Sequence, residues 1–482
     1  LGLALQATTI KIFSVKQPHM RAFHLMWISF FTSFVSTFAA APLIAIVRDD
    51  ISLTKNNLVD AGVAAVTGTI FARVVMGTFC DTFGPRYGHA LLMLGTSPAV
   101  FCMSLVKGPS GFIAMRCCIG FSLATFVATQ YWSSQMFTPK LVGIANATTA
   151  GWGNLGGGVT NLVMPFIFNG IYTGSVDKFQ AWRLAFFVPG AMHIIVGILV
   201  LFFSQDLPAG TYATLRREGK LAKPDGAVMA WGVKNYRMWC LTVAYGFCFG
   251  VELTMNNVAA PYFFDHFGLN LRIAGILGSC FGLMNLFARS VGGYISDRVA
   301  KPYGMRGRLW VLWIIQTVEG ALCVLMGLAH KSLALTIVIM ICFSIFVQAA
   351  EGASYGVVPF VSKRALGVVS GFVGAGGNAG SSITQTIFFK NGDLETYEAI
   401  MYMGVMIMAV TAVTIIPIHF PQWGGMFTKP SMEATEEDYY CSDYTEEEKA
   451  EGKHKASLVF AANVKTERGT KAPNAIEMSG QV

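Results

Sequence analysis

Twelve stretches of this sequence, each long enough to cross a bilayer and nearly free of charge, constrain its fold more than any other feature. They run approximately 22–47, 56–80, 88–107, 110–136, 142–170, 182–204, 238–263, 271–295, 309–329, 333–360, 365–390 and 396–419. About 20 apolar residues in a helix span the hydrocarbon core, and hydrocarbon offers no partner to a free backbone N–H or C=O. Each stretch is therefore expected to be helical, and the chain an all-α membrane protein. With 13% charged and 54% hydrophobic residues and a mean hydropathy of +0.53, the 482 residues have too little charge to wrap a soluble body of this size.

A polar break of about 34 residues, from Ser204 to Met238, divides the twelve stretches into two groups of six. The expected organisation is an N-terminal segment 1–21, a first bundle 22–204, a linker 205–237, a second bundle 238–419 and a tail 420–482. The net charge of +8 would suggest nucleic acid in a soluble protein. Here the cations instead gather in alternate loops: Arg86, Lys140, the run Arg216, Arg217, Lys220 and Lys223, then Arg298, Lys301, Arg306, Arg308, Lys363 and Arg364. The positive-inside rule places those loops and both termini in the cytosol. Residues 1–20 lack a charged n-region with a cleavage site, so no signal peptide is expected. The ten cysteines lie mostly within spans, without CxxC or HExxH spacing, which gives no reason to expect disulfides, a metal or another cofactor. The tail turns from acidic to basic and is expected to be largely disordered, with Thr445 and Glu448 spaced for a capping box.

Two spans carry an arginine in a repeated context. Phe71-Ala72-Arg73 and Phe287-Ala288-Arg289 stand 216 residues apart, with Asp81 and Asp297 in register beyond them. A guanidinium at the bilayer centre costs about 2.5 to 3.5 kcal/mol, and Asp81 lies roughly 12 Å further along the same helix, at ~1.5 Å per residue. Either an acid on another helix compensates, Glu252 or Glu351 being the candidates, or the arginines hold an anion. A second repeat relates Gly151-Trp152-Gly153-Asn154 to Ala375-Gly376-Gly377-Asn378, 224 residues on. The literal GxGxxG at Gly151 follows no strand, which removes the dinucleotide reading, and Gly153 with Gly157 suits close helix approach.

The run Gly77-Thr78-Phe79-Cys80-Asp81-Thr82-Phe83-Gly84-Pro85-Arg86-Tyr87-Gly88 resembles the loop between the second and third helices of the major facilitator superfamily, and Gly293 to Asp297 is its half-copy. Arg116 to Gly120 resembles that superfamily's RxxxG element. The paired glycine-and-asparagine helices, the paired arginines and the run Arg306-Gly307-Arg308-Leu309-Trp310 narrow the resemblance to the nitrate/nitrite porter family, of plant and green-algal high-affinity type. That resemblance implies twelve transmembrane helices in two pseudo-symmetric six-helix bundles, with the substrate between them near the midplane.

The resemblance also implies a function: plasma-membrane uptake of nitrate, with nitrite as a minor substrate, by proton-coupled symport with alternating access. A nitrate/nitrite exchanger and a sensor on a transporter scaffold are the alternatives; nothing points to an enzyme. Arg73 and Arg289 are expected to clamp the ion, because each guanidinium is planar and donates two parallel hydrogen bonds. Asn154, Asn378, Gly153 and Gly377 are expected beside it, as are Tyr245 and Phe126 by family pattern. Glu252 and Glu351 are the proton-coupling candidates. Gly77, Asp81, Gly84, Arg86, Gly293 and Asp297 form the expected gating motif. The implied partners are nitrate, protons, membrane lipids and a small single-span accessory membrane protein; Ser442 and Ser457 are candidate phosphorylation sites.

Overall fold

The computed structural model describes residues 5–138, 141–172, 176–218, 228–390 and 394–471. Lys140, Lys220, Lys223 and the last eleven residues, about which expectations were formed above, lie outside them. Among the described residues nine helical stretches are long and apolar enough to cross a membrane. One of them, Leu271–Leu328, contains two spans, because its helix Ala288–Leu328 turns at Gly304 (φ 60°, ψ −148°). The glycine-rich helices Val142–Ile171 and Leu366–Thr384, less apolar but of spanning length, bring the number to twelve.

Polar caps start these helices where the sequence leaves the apolar region. Thr54 and Asn57 close a capping box on the second span, Lys55–Phe83, and Glu395 with Glu398 does the same for the twelfth, Thr396–Ile415. Asp177, Asn270 and Ser332 accept from backbone N–H groups at the starts of the sixth, eighth and tenth. Each such cap contributes about 1 kcal/mol. The seventh span is broken: its first helix is Tyr236–Gly246, its second Phe249–Phe267, and Phe247 and Cys248 between them leave helical geometry.

The two halves meet along two seams, the second span against the eleventh and the fifth against the eighth. At the second seam backbones touch: a Cβ on Gly158 would lie 2.5 Å from the amide nitrogen of Leu283. Hydroxyl pairs bridge both seams, Thr67 to Ser382 at 2.9 Å and Thr148 to Ser290 at 3.0 Å. The gating-motif residues sit at the end of these seams nearest the tail. Gly77 and Asp81 lie against Gly367 of the other half, and Gly293 and Asp297 against Gly143. Gly84 turns the chain at φ 91°, and the backbone amide of Arg86 donates to Asp206 at 3.0 Å.

The tail departs from expectation. Residues 419–471 are folded, with a two-stranded ribbon His419–Phe420 and Gly424–Gly425 and short helices Glu436–Cys441, Glu446–Ala450 and Lys455–Asn463. Its aromatic residues Phe420, Trp423, Tyr440 and Phe460 are buried in the same core as the spans. Its acids meet the loop cations: Glu467 takes the Arg308 guanidinium at 2.7 and 2.8 Å, and Glu448 takes Arg364 at 2.8 and 2.5 Å. Apolar burial of this kind and bidentate charge-assisted pairs offset the ordering entropy that composition alone suggested the tail could not overcome. The capping box of Thr445 and Glu448 forms.

Candidate anion-binding site

Arg73 reaches the centre of the molecule because the second span crosses the eleventh where glycine leaves room. Its Nη1 donates to the carbonyl of Gly374 at 2.5 Å, and Nε and Nη2 donate to the carbonyl of Leu123 at 3.3 and 3.2 Å. With its amide oxygen turned toward the guanidinium, Asn378 accepts from Nε and Nη1 at 3.1 and 3.0 Å. No acid pairs with Arg73 among the described residues.

Arg289 is placed differently. From the eighth span, with its side chain packed against Gly151 of the fifth, it donates through Nη1 to Glu351 and through Nη2 to the hydroxyl of Tyr245 at 2.7 Å. Its Nε is buried and has no hydrogen-bond partner among the described residues. Of the two alternatives weighed for the arginines, pairing with an acid on another helix is met at Arg289, by Glu351; at Arg73 amide and carbonyl oxygens stand where an acid was expected.

Both guanidiniums lie over the same two rings. Arg73 is 4.7 Å from the centroid of Phe126 and 4.8 Å from that of Phe249; Arg289 is 5.6 and 6.0 Å from them. Phe126 and Phe249 stack at 5.5 Å, and Tyr245 stacks on both. Arg73, Arg289, Tyr245, Phe126, Asn154 and Asn378 are all 0% exposed, so the cluster is closed to both faces. Two guanidiniums buried this deeply attract an anion strongly, because little bulk solvent screens them.

The fifth span contributes Asn154, which donates to Glu252 at 2.7 Å and to Glu351 at 3.1 Å. Asn285 donates to the other oxygen of Glu252 at 2.6 Å. The repeat is therefore broken at this point: Asn378 serves an arginine, whereas its counterpart Asn154 serves two carboxylates. Gly153 and Gly377 lie against Phe30 and Phe249 respectively, clearing space for those rings rather than contacting either guanidinium.

Phe249, Tyr355 and Asn285 were not singled out from the sequence. Tyr355 stands edge-on to Phe126 and Tyr245 at 5.3 Å. A signal for Phe249 existed in the repeat, since Gly153 faces Phe30 as Gly377 faces Phe249, but aromatics in apolar stretches are too common to stand out.

The family model for the Major Facilitator Superfamily matches residues 26–385. The chain is 52% identical over 466 residues to high affinity nitrate transporter 2.5 of Arabidopsis thaliana, covering 96% of this chain and 92% of that one. It is also 52% identical over 475 residues to nitrate transporter 2.1 of Chlamydomonas reinhardtii, covering 97% and 86%. Among solved structures, a bacterial homologue of the human lysosomal transporter Spinster, inward-facing and unoccupied, superposes with a TM-score of 0.55 at 15% identity, covering 83% of this chain and 95% of that one. The human organic anion transporter MFSD10 superposes with a TM-score of 0.55 at 12% identity, covering 82% and 100%. The last two support the fold alone. By family match and by near-full-length identity, the chain is a multi-pass membrane protein that belongs to the major facilitator superfamily and, within it, to the high-affinity nitrate transporters of plants and green algae.

Proposed function

We propose that this chain imports nitrate by proton-coupled symport with alternating access, holding the anion between Arg73 and Arg289. One observation carries the reading: two fully buried guanidiniums, one from each half, border the same pair of rings, and among the described residues the Nε of Arg289 is left without a partner. A buried donor without an acceptor costs about 1 to 3 kcal/mol, and a planar anion beside Arg289 would relieve it.

The Arg289–Glu351 pair supplies a means of coupling. Without substrate, two arginines and an ionised Glu351 sum to plus one. A proton on Glu351 frees Arg289 and raises the sum to plus two, and a nitrate then returns it to plus one. Proton and anion thus enter together with no change in buried charge, which favours loading both or neither. Glu252, held by Asn154 and Asn285, shares Asn154 with Glu351 and is the second candidate for this role. A negative-inside potential opposes anion entry by about 2.3 kcal/mol per 100 mV, so accumulation requires a cotransported cation.

Tail and linker face the cytosol in this reading, in the plasma membrane, with a small single-span accessory protein as partner. The test is uptake of labelled nitrate into proteoliposomes under a pH gradient. Accumulation that collapses with the gradient supports symport. Binding without flux favours a sensor, and flux that needs internal nitrite but no gradient favours an exchanger.

A further inference from the structure

One buried acid takes no part in the clamp. Glu319, in the ninth span, is 0% exposed, and among the described residues it is the carboxylate with both oxygens buried and without a hydrogen-bond partner. A carboxylate buried without a partner is costly, and a proton on it removes most of that cost. Among the described residues no cation pairs with it: on its own helix Arg289 is engaged with Glu351 and Arg308 with Glu467, and on the seventh span Arg237 donates to His419 while Glu252 is held by Asn154 and Asn285. On its own helix Cys323 stands about one turn further along. The tenth span's one charged residue, Glu351, is engaged with Arg289, and the twelfth span's Glu398 sits in the capping box at that helix's start.

Glu319 abuts a mechanically special place. Gln316, one turn earlier on the same face, donates to the carbonyl of Ala244 at 2.9 Å, and Cys248 lies in the break of the seventh span. The clamp residues Tyr245 and Phe249 stand on either side of that break, so a shift of residues 245–249 moves an arginine's partner and a stacking ring together. A break also exposes backbone carbonyls that a carboxylic acid can donate to.

We propose that Glu319 is a second proton-binding site of the transport cycle, occupied in this closed state and emptied when the break of the seventh span rearranges and admits water. This rests on the proton-coupled reading above and deepens it. One proton at the clamp balances the charge of one nitrate; a second, at Glu319, makes each cycle carry one net positive charge inward. Proton and anion then act on the same five-residue segment, and by linkage any effect of one on the other's affinity is reciprocated.

The test uses the full-length protein in proteoliposomes, with membrane potential set by a potassium gradient and an ionophore, and with labelled nitrate and a trapped pH dye read together. Wild type is expected to move about two protons per nitrate, and Glu319→Gln about one. Glutamine imitates the loaded acid, so nitrate-for-nitrate exchange at equal pH on both sides should persist in the variant. A Glu319→Gln protein that retains the wild-type ratio overturns the proposal while leaving symport intact. So does one that is folded and binds nitrate yet has lost exchange as well as net uptake, since that marks a structural role. A wild-type ratio of one overturns the second site alone, and no coupled proton movement in wild type overturns both readings. If Glu319→Gln is not recovered folded, Glu319→Leu, which leaves no unmet hydrogen bond, is read in the same way.

Discussion

Replacing Arg73 by lysine tests the clamp most directly, because it keeps the charge and removes the shape. The arginine donates to Leu123, Gly374 and Asn378 while its flat face lies 4.7 and 4.8 Å from the centroids of Phe126 and Phe249. An ammonium can keep some carbonyl contacts, but it has neither the plane to lie over those rings nor a second nitrogen to aim at the ion. Losing one charge-assisted hydrogen bond costs about 1.5 to 3 kcal/mol, or roughly tenfold to more than a hundredfold in nitrate affinity. Uptake of labelled nitrate at subsaturating concentration should fall by that factor while surface expression stays normal, and Arg289→Lys should behave alike. Wild-type uptake by either variant at normal expression would refute the clamp.

Other outcomes follow from the same geometry. Glu351→Gln should leave nitrate affinity independent of pH, because glutamine imitates the protonated acid; wild-type affinity should fall about tenfold per pH unit once Glu351 releases its proton, and binding titrations from pH 5 to 9 will tell. If Glu351→Gln and Glu252→Gln both keep pH-dependent uptake, coupling lies elsewhere. Tyr245→Phe removes the hydroxyl that accepts from Arg289, and about 1 kcal/mol predicts roughly fivefold weaker binding by calorimetry. The tail should loosen in acid. Burial alone would raise Glu436, but hydrogen bonds from Arg468 and Trp423 hold it below the usual value. That contribution is complete above the ordinary carboxylate range and disappears as pH falls through the lowered value, so protease cleavage within 430–470 should appear only there.

The arginines could be read in one dimension because a charge inside an apolar stretch is a local anomaly, and the repeat raised its significance. Asn378 was legible through its repeat with Asn154, and Phe126 only through the family resemblance. Glu351 was among the acids named, but which arginine it served was not legible, since Arg289 and Glu351 meet across 62 residues of sequence while the symmetry-related Arg73 meets no acid among the described residues. Glu319 passed unnoticed because its significance lies in having no partner, which only packing reveals. The tail was misjudged by composition: its acids are matched by Arg308 and Arg364, at separations of 159 and 84 residues, and no window of sequence contains both members of either pair. The family resemblance supplied Tyr245, which on its own would have passed for an ordinary core tyrosine.

The folded tail also divides the molecule into unequal halves. Its residues fasten the start of the seventh span through Arg237 to His419, the turn at Gly304 through Arg306 and Arg308, and the entry to the eleventh through Ser362 and Arg364. All of these anchors lie in the second half. The first half is tied on the same face mainly by the Asp206 carboxylate and Arg86. On this face the second half is therefore strapped at three points, the start of the seventh span, the turn after the eighth and the entry to the eleventh, and none of these straps reaches the first half.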